Sequence, residues 1–336
     1  MANPGLTREQ KQQAVDAYER NHNNKAAAAR DLGLKQNTYR SRLETAQGEG
    51  FQPYIKPEKP RIRVPARSTY TPQPEQNGDA IRVMVFGCSH DSPLIPDKSR
   101  FLHMGRLAAE LRPDYIVNLG DSMDLDSLST HAMPGSQDDW ERPAFKREID
   151  SLDLAESAFN KDAPGGDDIP RLRLKGNHEY RAERFESNNP TAQGVFTGEI
   201  DQVFARYNWT VKQYKEWLYI GGVGFTHVPI NAAGREYTGQ NPSNMIANHS
   251  THSVVWSHTH KGEFLNRPKI GIGNGIQVFN TGCSMPQGYI KKYAGLSTTG
   301  WTYRCNELTL RDGQIESARS WSILELQEKF GDSKAA

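Results

Sequence analysis

Tyr115-Ile116-Val117-Asn118-Leu119, followed at once by Gly120-Asp121-Ser122-Met123-Asp124, is the stretch that decides the fold. A short apolar run with β-branched residues reads as a buried strand, and the glycine–aspartate pair ends it in a turn carrying two carboxylates. The same pattern repeats outward. Ile81 to Phe86 leads into Gly87-Cys88-Ser89-His90, and Leu172 to Leu174 into Gly176-Asn177-His178-Glu179. Val223 to Thr226 leads into His227, and Val254 to Ser257 into His258-Thr259-His260. Further strands are expected at Trp217 to Gly221 and Ile276 to Asn280, and helices at Ser99 to Leu111 and Pro143 to Asn160, where apolar residues recur at helical spacing. Strands alternating with helices first, then a strand-rich second half, make residues 80 to 336 an α/β body. Open α/β sheets bind ligands beyond the carboxyl ends of their strands, which is where each polar tag falls.

The chain has 336 residues, 36% hydrophobic and 24% charged, enough for a real core and an appendage. No run approaches the roughly 18 apolar residues of a membrane span, and the N-terminal sequence lacks the apolar stretch of a signal peptide. Three scattered cysteines, Cys88, Cys283 and Cys305, make no disulfide framework, so a cytoplasmic setting is expected.

A net charge of +1 hides an asymmetry. Residues 1 to 67 hold 13 Lys+Arg against 7 Asp+Glu, leaving 28 basic and 33 acidic residues for the rest. Within the basic part, Thr7 and Gln10 form a potential capping box before a helix from about 8 to 21. Asn23 or Asn24 caps a second helix, Lys25 to Leu32, ended by Gly33, and Leu34 to Ala46 reads as a third. Ala29 followed four residues later by Gly33 resembles a helix-turn-helix, with the third helix as the DNA reader. Lys35, Gln36, Asn37, Thr38, Arg40 and Arg42 would then face a major groove; a small helical interaction module is the alternative. Residues 48 to 79, rich in proline and basic residues, read as a semi-extended linker, giving domains 1–47, 48–79 and 80–336.

Taken singly, an aspartate after glycine is an ordinary turn residue, and a histidine beside a strand an ordinary polar group. Taken together, five of the ten histidines fall in the strand-end tags. The ordered series resembles the calcineurin-like metallophosphoesterase superfamily over residues 80 to 325: Asp-x-His, Gly-Asp-x-x-Asp, Gly-Asn-His-Asp/Glu, a lone His, then Gly-His-x-His. The resemblance implies an αββα sandwich of two mixed sheets around two divalent ions (Mn, Zn or Fe), which ionise a water near neutral pH. It assigns one ion to Cys88, His90, Asp121 and His260, and the other to Asp121, Asn177, His227 and His258. His178 is then the general acid, with Asp124 holding its ring and raising its pKa. His103, His131, His249 and His252 match no tag and are expected at the surface.

Cys88 departs from the family's aspartate. A thiolate keeps the charge while favouring softer ions, so activity is expected to persist; drift of the domain toward binding without turnover is the competing view. Cys283 is expected on a strand-end loop near the site, with burial as its default explanation. Leu125 and Asp126 follow Asp124 where protein phosphatases of the superfamily have Arg-Gly, so Arg181 or Arg184 is the expected phosphate clamp. Tethering a helix-turn-helix unit to the body through about 30 residues of flexible basic linker raises the local concentration of DNA at the site and favours a DNA-directed phosphodiesterase or nuclease. The alternatives are a phosphomonoesterase acting on protein or nucleotide, and a non-catalytic DNA-binding adaptor. Such a fusion also looks like proteins carried by bacteriophages, which would place it in the host cytoplasm.

Overall fold

Val83 and Val85 alternate with Met84 and Phe86 along β1 (Ile81–Phe86), and this two-residue period divides the core of the body in two. The valines face a layer with Val117, Leu119, Leu174, Phe225, Val255, Phe279 and Leu308. Met84 and Phe86 face a helical layer with Met104, Leu107, Leu152, Phe159 and Phe204. This computed structural model describes residues 5–53, 79–270, 275–291, 294 and 299–331.

The first sheet has the order β11-β10-β1-β2-β3-β4. In it β2 (Tyr115–Asn118), β3 (Arg171–Leu174) and β4 (Trp209–Lys212) run parallel to β1. Strands β10 (Arg304–Arg311) and β11 (Gln314–Ser322) add an antiparallel edge. The second sheet has the order β5-β6-β7-β9-β8, formed by β5 (Leu218–Ile220), β6 (Val223–Phe225), β7 (Val254–Trp256), β8 (Gly262–Arg267) and β9 (Ile276–Thr281). Here β6, β7 and β9 are parallel to one another.

Helices close both outer faces. On the first sheet lie α4 (Ser99–Leu111), α6 (Phe145–Asn160), α8 (Val195–Arg206) and α10 (Ile323–Phe330), while the short α5 (Gln137–Glu141) and α7 (Tyr180–Asn188) precede α6 and α8. Gly105 lets α4 meet α6, since any side chain there would overlap the Phe159 carbonyl. On the second sheet, α9 (Pro242–His249) buries Ile246 and Ala247 against Val254, Trp256, Ile276 and Val278. The layers are therefore helix, sheet, sheet, helix, the αββα sandwich of two mixed sheets. No described helix is long and apolar enough to cross a membrane.

The chain divides into two units, Met1–Ile62 and Arg63–Ala336. In the first, α1 (Arg8–Arg20) opens with the Thr7–Gln10 capping box, and Asn24 caps α2 (Lys25–Asp31). The third helix, α3 (Gln36–Gly48), starts two residues later than its apolar pattern suggests: Leu34 packs on the core, and extended Lys35 holds the N-cap position without a side-chain capping bond. Gly33 makes the turn between them at φ 63°. Ala14, Ala17, Ala28, Ala29, Leu43 and Tyr39 form the core, and the buried Tyr39 hydroxyl donates to the Ala14 carbonyl at 2.8 Å. The unit runs past residue 47: Phe51 packs on it and the Gln12 amide donates to the Gln52 carbonyl at 2.7 Å. Most of the expected linker lies outside the described residues.

Candidate metal centre

Parallel pairing brings the ends of β1, β2, β3, β6 and β7 to one edge of the body, and the polar loops that follow them are hydrogen-bonded to one another. The Cys88 N–H donates to the Gly120 carbonyl at 2.8 Å and the His90 N–H to the Asp121 carbonyl at 2.9 Å. Cys88, His90, Asp121, His258 and His260 all take left-handed backbone conformations, with φ of 49°, 45°, 51°, 67° and 61°. For residues with a β-carbon that geometry is costly, and its clustering marks a site over-determined by its surroundings.

The seven side chains expected to hold metal converge there. Asp121, 1% exposed, points Oδ2 to within 3.3 Å of His227 Nε2 and 3.7 Å of His90 Nε2. His90 Nε2 faces His260 Nε2 at 3.0 Å. Asn177 Oδ1 lies 3.0 Å from His227 Nε2 and 2.9 Å from His258 Nδ1, and those two nitrogens are 3.2 Å apart. Donor atoms of Cys88, His90 and His260, and of Cys88, Asp121 and His227, each lie within 4.8 Å of one another. Such a set of nitrogen, oxygen and sulfur donors suits divalent transition metals and zinc.

The surroundings prepare these atoms to bind a cation. His227 Nδ1–H donates to the Leu119 carbonyl at 2.7 Å, which turns Nε2 toward Asp121, and against burial that carboxylate raises the ring's pKa. Burial holds the His258 and His260 rings neutral, down to about 4 and about 3. Burial by itself would raise the Asp121 carboxyl, but the surrounding histidines, His227 first, hold it well below the usual carboxylate range. The Cys88 thiol is pushed well up, by burial first and then by Asp121, while Ser257 Oγ at 3.0 Å and the His258 N–H at 3.2 Å surround its sulfur. A cation would reverse the penalty on the thiolate.

His178 and Asp124 adopt a different arrangement from the expected one. The His178 ring does hydrogen-bond to Asp124, but through Nδ1–H to the backbone carbonyl at 2.7 Å. The Asp124 carboxylate is 3.9 Å from that nitrogen and 3.1 Å from His90 Nδ1, so the ring it holds is His90. Its other oxygen pairs with Lys291. The expected rise in the His178 pKa does not occur: burial lowers it to about 4. Arg181 is likewise committed elsewhere. It is buried, and Nη1 donates to the Asp124 carbonyl at 2.9 Å and to Asp126 Oδ1 at 3.1 Å, bracing the loop instead of standing open to a phosphate. Arg184 is half-buried and reaches Thr130 Oγ1 at 3.3 Å.

His103, expected at the surface, is 5% exposed because its face of α4 packs inward, and His252 is half-buried with its ring edge against Trp217 and Tyr219. His131 and His249 are exposed. Cys283 is fully buried and packs with Cys88 and Met285.

Sequence reasoning missed the residues that fix the loops. Glu179, 2% exposed, accepts from the Asp121 and Gly176 N–H groups through Oε2 at 3.0 and 2.8 Å, and from the Ser122 N–H through Oε1 at 2.6 Å. It thereby joins two tags. Asp91 takes Lys98 at 2.8 Å, Arg100 at 2.9 Å and Ser151 Oγ at 2.6 Å. Only adjacency to His178 and His90 in the sequence signals these carboxylates.

In the helical unit, Lys35 at the N-cap of α3 and Gln36, Asn37, Thr38 and Arg40 on the helix are exposed, with Arg40 Nε paired to Glu44 at 3.1 Å, whereas Arg42 is half-buried.

No family profile matches the chain, and no curated protein matches it. Among solved structures it is similar to a conserved protein of Streptococcus pneumoniae described as a predicted phosphoesterase. That match has 11% identity, spans 73% of this chain and 98% of that one, and has a TM-score of 0.28. It is also similar to Vacuolar Protein Sorting 29 from Cryptosporidium parvum (12% identity, 72% and 98%, TM-score 0.31). A third match is purple acid phosphatase PPD1 from yellow lupin seeds (12% identity, 74% and 55%, TM-score 0.35). TM-scores this low carry no weight for chemistry, which has to be argued from the residues.

Proposed function

We propose that the body is a metal-dependent phosphoester hydrolase with a dinuclear centre, and that its substrate is a phosphodiester of DNA. The observation that carries the first part is the convergence of seven metal-type donors, the buried Asp121 carboxylate among them, from five strand-end loops. Cys88, His90, Asp121 and His260 would hold one ion, and Asp121, Asn177, His227 and His258 the other. Such ions polarise a phosphoryl oxygen and lower the pKa of a water, so that hydrolysis proceeds near neutral pH.

The protein's own groups supply orientation and proton transfer. Asp121, charged and shared, sets the spacing of the two donor sets. His178 has its Nδ1–H fixed on the Asp124 carbonyl, so Nε2 is the atom that takes up a proton and passes it to the leaving oxygen as the P–O bond breaks. A bound phosphate anion offsets the burial that keeps this ring neutral.

The DNA part of the reading is supported by the basic helical unit, which after a glycine turn exposes Lys35 at the N-cap of α3 and Asn37 and Arg40 along it. Phosphate contacts from such a unit bring substrate to the tethered body. Metal-free protein reloaded with manganese, zinc or iron and offered paired aryl phosphates tests the reading. Hydrolysis of a bis-aryl phosphate is expected. Preference for a mono-aryl phosphate would make the enzyme a phosphomonoesterase, and no turnover with any ion would leave a DNA-binding adaptor.

A further inference from the structure

Lys291 lies 167 residues from Asp124 in the chain, and its ammonium pairs with Asp124 Oδ2 inside the site. It is 7% exposed, with Nζ 5.6 Å from the centre of the Tyr289 ring. The segment that delivers it is tied to the β1 loop: the Ser284 N–H donates to the Gly87 carbonyl at 3.0 Å, and the Ser284 and Ser89 hydroxyls are 2.7 Å apart. Farther along, the Tyr303 hydroxyl donates to the Tyr289 carbonyl at 2.7 Å. A buried lysine is costly unless it is paired, and its nearest partner has a second oxygen in use. That oxygen, Oδ1, lies 3.1 Å from His90 Nδ1, while His90 Nε2 faces the donor cluster. Lysine, carboxylate and imidazole thus form one line ending on an expected ligand.

We propose that Lys291 is a positioning residue of the metal centre: by holding one oxygen of Asp124 it aims the other at the His90 Nδ1–H, which fixes His90 with Nε2 toward the metal. A carboxylate behind a ligating imidazole fixes ring and tautomer, and losing such a support costs about 10–100-fold in metal affinity. Lys291 supports the carboxylate in turn. Without it, Asp124 is free to turn toward His178, whose Nδ1 is 3.9 Å from the same Oδ1. The inference rests on the cluster being a metal centre, and it has one consequence that does not need the metal.

The experiment compares the full chain with Lys291→Met, Lys291→Gln and Asp124→Asn. In metal-free protein, nitrogen NMR of the His90 ring is expected to show the proton on Nδ1 in the wild type and a tautomer mixture in Lys291→Met. Zinc affinity, read by chelator competition, is expected to fall about 10–100-fold in Lys291→Met and less in Lys291→Gln, which keeps a donor for Asp124. Adding Lys291→Met to Asp124→Asn should cost no more than Asp124→Asn alone. An unchanged His90 tautomer in a folded variant overturns the inference, as does a loss in the double variant equal to the product of the two single losses. Should Lys291→Met not fold, the same readings on Lys291→Ala, which also removes the donor to Asp124, decide it. A wild type that binds no zinc refutes the metal reading, while the tautomer measurement still judges the role of Lys291.

Discussion

Glu179 offers a direct test of how the centre is assembled, because one side chain holds three backbone N–H groups of two separate loops. In Glu179→Gln the amide oxygen can keep the side facing Asp121 and Gly176. Its NH₂ then meets the Ser122 N–H, donor against donor, where a 2.6 Å bond to a carboxylate stood. Losing a hydrogen bond to a charged group and stranding a buried donor costs about 2–4 kcal/mol together. Against a typical domain stability of about 5–15 kcal/mol this is a large fraction, and Glu179→Ala, which strands all three donors, is expected to leave little folded body. Urea unfolding followed by tryptophan fluorescence isolates the effect. All six tryptophans, Trp140, Trp209, Trp217, Trp256, Trp301 and Trp321, belong to the body, so the helical unit is silent. With a urea slope of about 2–3 kcal/mol per molar, the Glu179→Gln midpoint should fall by about 1–2 M. A midpoint unmoved from wild type would refute the view that this carboxylate joins the two tags.

Three further outcomes are expected. Cys88→Asp should shift metal preference from zinc toward manganese, and cobalt-loaded wild type should show a near-ultraviolet thiolate band, read by absorbance, that the variant lacks. The metal-free body should lose stability as pH falls from about 6.5 to about 4, because His178, His258 and His260 are held near 4, 4 and 3 when folded and bind protons more readily when unfolded. His227, lowered by burial but raised overall by Asp121, works in the opposite sense, so urea midpoints at several pH values give the net effect. Deleting residues 1 to 67 should weaken DNA binding and flatten its salt dependence in a titration by fluorescence anisotropy, while turnover of small aryl phosphates is unchanged.

Much of this architecture is legible from local sequence because buried parallel strands are short apolar runs, and β1 matches its expected span of Ile81 to Phe86. The tags stand out because turn chemistry and donor chemistry coincide there. Strand β11 is not legible, since Glu316 through Ser320 are all exposed and, Ala318 apart, polar, and only pairing with β10 makes them a strand. The partner of the Asp124 carboxylate is equally hidden. Spacing brings Asp124 near both His90 and His178, but side-chain rotation and a lysine from a distant segment select between them.

Five of the expected metal-binding or bridging residues sit on backbone that glycine would adopt more readily. At about 1–2 kcal/mol for each such residue, the centre works against the stability of the body that surrounds it. Selection for heat resistance alone, with no demand for turnover, should therefore erode this edge first, replacing Cys88, His90 or His260 by glycine or asparagine. A thermostable descendant that has kept all of them would owe its gain to changes elsewhere, in the helical layers or the strand ladders.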